Sequence, residues 1–367
     1  MQRLTVQGKI DKKDRSRIAQ TGIDLSAQQR SASFIQKDNA ILASFSLLKG
    51  VEILPLEEAE KKYSRRRIFW GEAFAKTERK FNRHTRGGYF VRVQKGVRVK
   101  FPIQACLFLK KSGFRQRVHN IIVVEEGAEA YFISGCASSK ATSESYHLGI
   151  SEYFIGRGAY LNFTMIHAWG KDIEVEPQAA AIVEKGGNFI SNYISLKPVK
   201  NIKMDPVAFL EGEKARVSFN SLVISHPSSF QDIGASVYLG AREGAAEVIS
   251  RTVSLGGRVI ARGYIKALAK QVKGHIECRG LIVPSRGTIS SLPQIETKFR
   301  DVSLTHEAAI GKISREEIEY LAARGIPQDE AQALIIRGFM DTDILGLPKS
   351  LEEEVRRLTQ KTLEKGS

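Results

Sequence analysis

Cysteine is scarce in this sequence, with 3 residues in 367, and the shortage excludes several classes of protein. Three cysteines cannot cross-link a disulfide-rich secreted scaffold, and no CxxC pair offers a ready structural zinc site. Long apolar runs are missing too, since none approaches the roughly 20 residues that span a bilayer, and the stretch from Met1 to Lys13 is polar. We therefore expect a cytoplasmic protein with no membrane partner.

Acidic residues are outnumbered: 56 Lys and Arg face 40 Asp and Glu, for a formal charge of +16. Most of the surplus lies in the first 100 residues, with 23 basic and 10 acidic side chains, and it is densest from Lys61 to Arg98, around Arg65-Arg66-Arg67. Clustered positive charge suits nucleic acid or an acidic membrane. It also suits a solvated surface that meets an acidic protein partner, which we favour, so nucleic acid is not the expected partner.

The hairpin dipeptides Asn-Gly and Asp-Gly never occur, which disfavours a β-sandwich. Strand alternation nevertheless begins after Gly87-Gly88 and recurs to about Phe299 in short β-rich runs. The runs are separated by glycine turns, several of them roughly 13 to 17 residues apart or twice that. No helix of normal length fits between them, which disfavours alternating βα units and favours a coil that gains one turn per repeat. The runs are 121–124, 130–134, 146–155, 160–166, 189–196, 215–224, 235–239, 247–253, 258–265 and 275–283.

Helical spacing is confined to the two ends of the chain. The first 86 residues read as mainly helical, with one helix from Ser26 to Leu48 and apolar spacing from Leu56 to Lys80 that favours another. After residue 303, Ser314-Arg315-Glu316-Glu317 forms a capping box for a helix that ends at Gly325. A second helix starts near Pro327 and ends near Gly338, and a third runs from Leu351 to about Leu363. We therefore divide the chain into residues 1–86, a β-helix core at 87–303 and a helical unit at 304–367.

Several segments resemble the SufB/SufD family, the scaffold components of the SUF iron-sulfur cluster assembly system, in the same order from about Gly87 to Phe339. The similarity is carried by residues 88–97, 123–128, 135–136, 275–278, 306–309, 311–313, 320–326 and 336–339. The resemblance implies a right-handed parallel β-helix flanked by helical segments. It also implies that the C-terminal helical unit docks the ABC-type ATPase SufC, and that the scaffold pairs with itself or a paralogue near the assembling cluster.

Three residues match family positions associated with the cluster. Cys278 matches the cysteine of SufB that SufD members lack, and His306 and Glu307 match the His-Glu pair that accompanies it. Thiolate, imidazole and carboxylate are all ligands of iron. Strand alternation places Cys278 with Ile276 and against His275 and Glu277, and it points His306 and Glu307 to opposite faces. Read without the family, Cys278 is a small buried residue, and the His-Glu pair is structural.

Two departures concern sulfur. Relatives of SufB carry a cysteine before Glu-Gly-Glu, whereas Leu210 precedes Glu211-Gly212-Glu213 here, so the sulfur donor and its route are undetermined. Cys136 and Cys106 read as structural core residues, and His167 reads as part of an aromatic core.

These observations predict a non-enzymatic scaffold that builds a transient iron-sulfur cluster at a subunit interface. No GxxxxGK[ST] signature is present, so nucleotide chemistry belongs to the SufC-like partner, which we expect to dock on Leu334, Ile335 and Phe339. The alternative is a structural SUF subunit that holds no cluster. A carbohydrate-active β-helix enzyme would group carboxylates on one sheet face, whereas the acidic residues here are scattered in turns.

Overall fold

The computed structural model describes residues 9–64, 69–77, 85–283, 287–340, 345–347, 352–353 and 356–357. Its main body is a parallel β-solenoid of about eight turns, in which successive coils stack strand on strand, with a spacing of about 4.8 Å. This confirms the fold class predicted from the glycine-punctuated β runs. Two sheets enclose the interior of the solenoid, which we call the lumen.

Sheet A has ten strands in the order β2-β1-β5-β7-β9-β11-β14-β17-β19-β21. Only β1 and β2 pair antiparallel, and all the other pairs are parallel. The strands are β1 (Ala32–Lys37), β2 (Ala40–Ser46), β5 (Ile103–Leu109), β7 (Glu129–Ser138), β9 (Tyr160–Ala168), β11 (Asn188–Ser195), β14 (Arg216–Ser225), β17 (Ala245–Ser254), β19 (Val272–Ile282) and β21 (Val302–Lys312).

Sheet B begins with β3 antiparallel to β4 and then continues in parallel. Two of its turns are split into short strand pairs, and β20 pairs with β18 at the far edge. The strands are β3 (Val51–Pro55), β4 (Tyr89–Val93), β6 (Arg115–Val124), β8 (Ser145–Ile155), β10 (Ile173–Val183), β12 (Asn201–Met204), β13 (Val207–Leu210), β15 (Phe230–Ile233), β16 (Ser236–Leu239), β18 (Arg258–Ala267) and β20 (Thr288–Thr297).

A continuous hydrophobic core fills the lumen, because alternate side chains of both sheets point into it. Aromatic rings dominate its first half: Phe34 lies 5.3 Å from Tyr89, Tyr89 5.6 Å from Phe132, and Phe132 5.3 Å from Phe163, between ring centroids. Helices and loops cover parts of the outer faces and form three smaller apolar clusters there. Strand runs that are buried on both faces lose their clean alternation.

The predicted helix from Ser26 to Leu48 is wrong, because β1 and β2 occupy these residues as a hairpin. Its apolar residues happen to fall at helical spacing, yet Asp38, with φ of 52°, turns the chain in the middle of the segment. The helices found near the N-terminus are α1 (Lys12–Ala19) and α2 (Leu56–Lys62), together with a 3₁₀ turn at Phe74–Lys76. Much of the predicted helix over 56–80 is therefore irregular, and residues 65–68 and 78–80 lie outside the described part.

The two C-terminal helices are confirmed as α3 (Arg315–Ala322) and α4 (Gln328–Phe339). Ser314 and Glu317 make both bonds of the predicted capping box. The boundary predicted at residue 303 falls just inside β21, which continues to Lys312, so His306 and Glu307 belong to the solenoid. The third predicted helix, from Leu351 to Leu363, lies almost wholly outside the described residues.

Candidate functional site

The solenoid ends in the strands β19, β20 and β21. Of the predicted site residues, Cys278 lies on β19, and His306 and Glu307 lie on β21. β21 is the last strand of sheet A, and β20 pairs only with β18 in sheet B. Within the described residues no further strand covers either edge. Inward-facing side chains of β21, such as those of His306 and Ile310, are exposed at this end.

Cys278 lies on the lumenal side of β19, in the same core as Ile276, and is 2% exposed. Ser250 stands opposite it on β17, and Ala308 stands opposite it on β21. Burial raises the pKa of the Cys278 thiol, the Ser291 hydroxyl lowers it in part, and the charge of Glu277 raises it further. The thiol is therefore protonated at neutral pH while this coil stays closed.

His306 shares the lumenal side with Cys278. It pairs in register with Ile276, two positions before Cys278 on the neighbouring strand, and in-register residues of parallel strands face the same way. The column of lumenal residues to which it belongs is apolar in its last turns, with Phe219, Val248 and Ile276. His306 ends that column and is exposed, so an imidazole stands where a hydrophobic side chain would otherwise close the lumen.

Glu307 points the other way, as alternation predicts for an extended segment. It pairs in register with Glu277 on the outer face of sheet A, and its carboxylate lies 3.5 Å from Nη2 of Arg279. The structure thus brings Cys278 and His306 to one face and places Glu307 on the opposite face.

The outer face holds two residues that sequence reasoning noted only for their direction. His275, Glu277 and Glu307 offer ligand atoms that all lie within 4.8 Å of one another. The sequence spacing holds the information that brings two of them together. Glu307 follows Glu277 by 30 residues, which is one turn of the solenoid at this point, so the two residues stand in the same column. Recognising it required the exact length of the last coil, which the glycine spacing alone did not give.

The other cysteines are buried in the body of the solenoid. Cys136 is lumenal and 1% exposed, and burial raises its pKa to about 12. Cys106 is fully buried under the N-terminal segment, and burial raises its pKa as well. His167 donates to or accepts from the Tyr193 hydroxyl through Nδ1 at 2.9 Å, within an aromatic group that includes Trp169. These environments fit the structural roles that we expect for all three.

Leu210, which stands where SufB relatives have a cysteine, is fully buried at the end of β13. Its side chain belongs to the lumenal core. A neutral aliphatic side chain cannot carry sulfur at this position. Cys278 is therefore the lumenal thiol nearest to the end of the solenoid formed by β20 and β21, which we call the open end.

The predicted partner-binding residues differ in their surroundings. Leu334 is 42% exposed on α4, and Tyr320 of α3 is 57% exposed. Phe339 instead packs with Ile336 against the outer face of sheet A, and Ile335 is half-buried. Leu334 is thus the member of the predicted set that a partner can reach without unpacking α4. The basic cluster Arg65-Arg66-Arg67 lies outside the described residues.

Among the helices of the described residues, none has the length and apolar character that crossing a membrane requires.

Comparison with known proteins agrees with the resemblance read from the sequence. The family model described as "SUF system FeS cluster assembly, SufBD core domain" matches residues 107–339, from β5 to the end of α4. An iron-sulfur cluster assembly SufBD family protein of Archaeoglobus fulgidus is 43% identical over 94% of this chain and 94% of its own length. A SufBD family protein of Methanothermobacter thermautotrophicus is 36% identical over 96% and 88%. SufB of Bacillus subtilis is 29% identical over 76% and 60%.

The matched region contains Cys278, His306 and Glu307 as well as the helices α3 and α4. The chain belongs to the SufBD family, whose members take part in iron-sulfur cluster assembly.

Proposed function

We propose that this protein is a non-enzymatic scaffold that receives iron and sulfide and holds a labile iron-sulfur cluster at the open end of its solenoid. The observation that carries the proposal is the placement of the Cys278 thiol and the His306 imidazole on one lumenal face of the last two strands of sheet A. Thiolate sulfur and imidazole nitrogen are established ligands of iron-sulfur clusters. The cluster is the cargo of this site, to be passed on to another protein.

One chain offers too few ligands at this face to hold a cluster firmly. Clusters are commonly held by four protein ligands, whereas Cys278 and His306 make two. The bare edges of β20 and β21 supply a place for a second subunit, because unpaired strand edges readily pair with another chain. A cluster shared between two subunits is released when they separate, which suits a scaffold that gives its cargo away.

The buried thiol sets a condition on assembly. Cys278 is 2% exposed and lies under the last coil, where Ser291 of β20 is its neighbour. Iron reaches the sulfur only when β20 and β21 move, and exposure to water or to a metal ion lowers the pKa of the thiol. We propose that a SufC-like ATPase bound at the C-terminal helices drives this movement, since β21 leads directly into α3.

An anaerobic reconstitution with ferrous iron and sulfide tests the cluster. The wild type should develop sulfide-to-iron charge-transfer bands in the visible spectrum, and Cys278→Ser should not. Cys136→Ser is the matched control, because it removes another buried lumenal thiol at a distance from the open end, and it should behave like the wild type. Bands of full intensity in Cys278→Ser would show that Cys278 is not a ligand.

The alternative function is a structural SUF subunit that stabilises the complex without holding a cluster. The full burial of the Cys278 thiol favours it, as the closed coil offers iron no access. The same experiment separates the two functions: if the wild type develops no bands even with the ATPase and nucleotide present, the structural function stands.

Docking of the ATPase is tested by co-purification. Leu334→Asp should abolish it, because Leu334 is exposed and a charge there opposes an apolar contact. Phe339→Asp is less informative, since Phe339 packs against sheet A and its loss also loosens α4. Leu47→Asp, at a 50% exposed leucine near the other end, is the matched control, and retained binding by Leu334→Asp would reject this surface.

A further inference from the structure

We infer that His275, Glu277 and Glu307 form a binding site for a divalent first-row transition cation on the outer face of sheet A, separated by the sheet from Cys278. The inference does not require a cluster, and none of its three ligands has a role in the proposed function, which uses Cys278 and His306. It rests on the geometry of two neighbouring columns of side chains on this face.

Strand register brings the three ligands together. Glu277 and Glu307 stand directly opposite each other on β19 and β21, and His275 lies two residues before Glu277 on the same face. Their ligand atoms lie within 4.8 Å of one another, so a small shift of side chains places all three around one ion. One imidazole nitrogen with two carboxylate oxygens is a donor set for ferrous iron, zinc, cobalt or manganese.

The histidine is already oriented for this role. Its Nδ1 lies 2.8 Å from Oγ1 of Thr305, the residue opposite it on β21. A hydrogen bond at one ring nitrogen fixes the ring and leaves the other nitrogen for a metal, as in many metal sites in proteins. Thr305 is thus a positioning residue for His275.

Two arginines hold the carboxylates. Arg251 and Arg279 both contact Oε1 of Glu277, which leaves the second oxygen of that carboxylate for another partner. Arg279 also lies 3.5 Å from Oε1 of Glu307. Like charges directly opposite each other on neighbouring strands destabilise a sheet, so Arg279 offsets the repulsion between Glu277 and Glu307.

A divalent cation would replace Arg279 between the two carboxylates. The Arg279 side chain is 44% exposed and can turn toward solvent, whereas Arg251, at 13%, stays in place and anchors Glu277. Arg279 is therefore a competitor of the metal. This gives the inference a signed consequence that a merely structural charge network lacks: removal of Arg279 should strengthen metal binding.

The test is a titration of the purified full-length protein with Co²⁺, followed by its visible d–d absorption and by calorimetry. His275→Ala and Glu277→Gln should each weaken Co²⁺ binding at least tenfold, and Arg279→Gln should strengthen it severalfold. Glu296→Gln is the matched control, since it removes the same charge from β20 of the other sheet, and it should bind as the wild type does. Melting curves without metal establish that each variant is folded.

Cys278→Ser separates this inference from the proposed function. It should leave Co²⁺ binding unchanged, because its side chain faces the lumen, even though it abolishes the cluster. Loss of Co²⁺ binding in Cys278→Ser would move the metal to the lumenal face and overturn the inference. Equal weakening by Glu296→Gln and Glu277→Gln, or full affinity in His275→Ala, would overturn it as well.

Discussion

The two ends of the solenoid are finished differently. At the first end, β2 and β3 pair antiparallel with the first coil, and the lumen beneath them is filled by the stacked rings of Phe34, Tyr89 and Phe132. At the last end some inward-facing residues of β21 are exposed, namely His306 and Ile310. The contrast shows that aromatic packing is concentrated at the first end, whereas the packing stops at the last end, where the polar side chain of His306 is exposed.

The closed end is also fastened from outside. Arg17 of α1 donates from Nη2 to the carbonyl oxygens of Ala168 and Trp169 at 2.7 and 2.6 Å, and from Nε to that of Ser138 at 3.1 Å. Within the described residues no comparable set of hydrogen bonds from a helix fastens β20 or β21.

The largest expected effect tests the difference in packing. Phe163→Ala should lower the free energy of unfolding by about 3 to 5 kcal/mol, because it opens a cavity in the aromatic stack. Ile310→Ala, at a residue that is 40% exposed on β21, should cost less than about 1 kcal/mol, because little apolar area is lost from the core.

Urea unfolding at constant pH measures both changes. If Ile310→Ala destabilised the isolated protein as much as Phe163→Ala, the last coil would be as tightly packed as the first coils, and the contrast between the ends would fail.

A second prediction concerns pH. Burial lowers the pKa of His147 to about 3, and burial lowers that of His167 as well. An unfolded chain takes up a proton on each imidazole near pH 6.5, whereas the folded chain does not until far lower pH. The stability is therefore complete above pH 6.5 and falls as the pH drops below it, by about 1.4 kcal/mol per pH unit for each group.

Comparison of unfolding at pH 7.5 and 5.0 checks this. Between these two pH values, the free energy of unfolding should fall by about 2 kcal/mol less in His147→Asn than in the wild type. An unchanged difference between the two pH values would mean that His147 is already protonated in the folded protein.

The solenoid could be predicted from the sequence because glycines mark its turns and β-rich runs lie between them. Runs such as 160–166 and 258–265 lie within the observed β9 and β18, and the glycines between them mark the corners. The short strands β12, β13 and β15 escaped prediction because four residues carry too little periodicity, whereas the predicted run 235–239 coincides with β16. The prediction of a helix over β1 and β2 is wrong because apolar residues do not alternate with polar ones along these strands. β1 is buried at almost every position, and β2 is half-buried or exposed throughout.

The site was half predictable. Alternation along one strand correctly separates Cys278 from Glu277, because it depends only on the period of two. Which residues meet across strands depends on the length of the coil between them, which is a tertiary property. That is why His275 and Glu307 were not joined in advance, whereas the burial of Cys278 agrees with the reading of this residue made without the family.

Thiol reactivity should sharpen the contrast between the ends. Cys278 is covered by the last coil, so a local opening exposes it, whereas Cys106 needs displacement of the N-terminal segment and Cys136 needs the opening of several coils. Under native conditions Cys278 should react with a maleimide at least about tenfold faster than the other two, which corresponds to an opening free energy lower by about 1.4 kcal/mol. Mass spectrometry of digested samples over time measures the three rates separately, and equal rates would mean that the last coil does not open by itself.

The smallest expected effect compares a helix cap at each end. Asp11 caps α1 by accepting a hydrogen bond from the Asp14 amide, and it also pairs with Lys110 of the solenoid. Ser314 caps α3, which buries none of its residues.

Ser314→Ala should destabilise α3 by about 1 kcal/mol. The effect should be seen as faster amide exchange within that helix, with no change in the melting temperature of the solenoid. Asp11→Ala should lower that melting temperature, because Ile18 of α1 is fully buried and fraying of this helix uncovers the closed end. If both substitutions lowered it equally, α3 would be part of the cooperative core and the open end would extend less far than the contacts indicate.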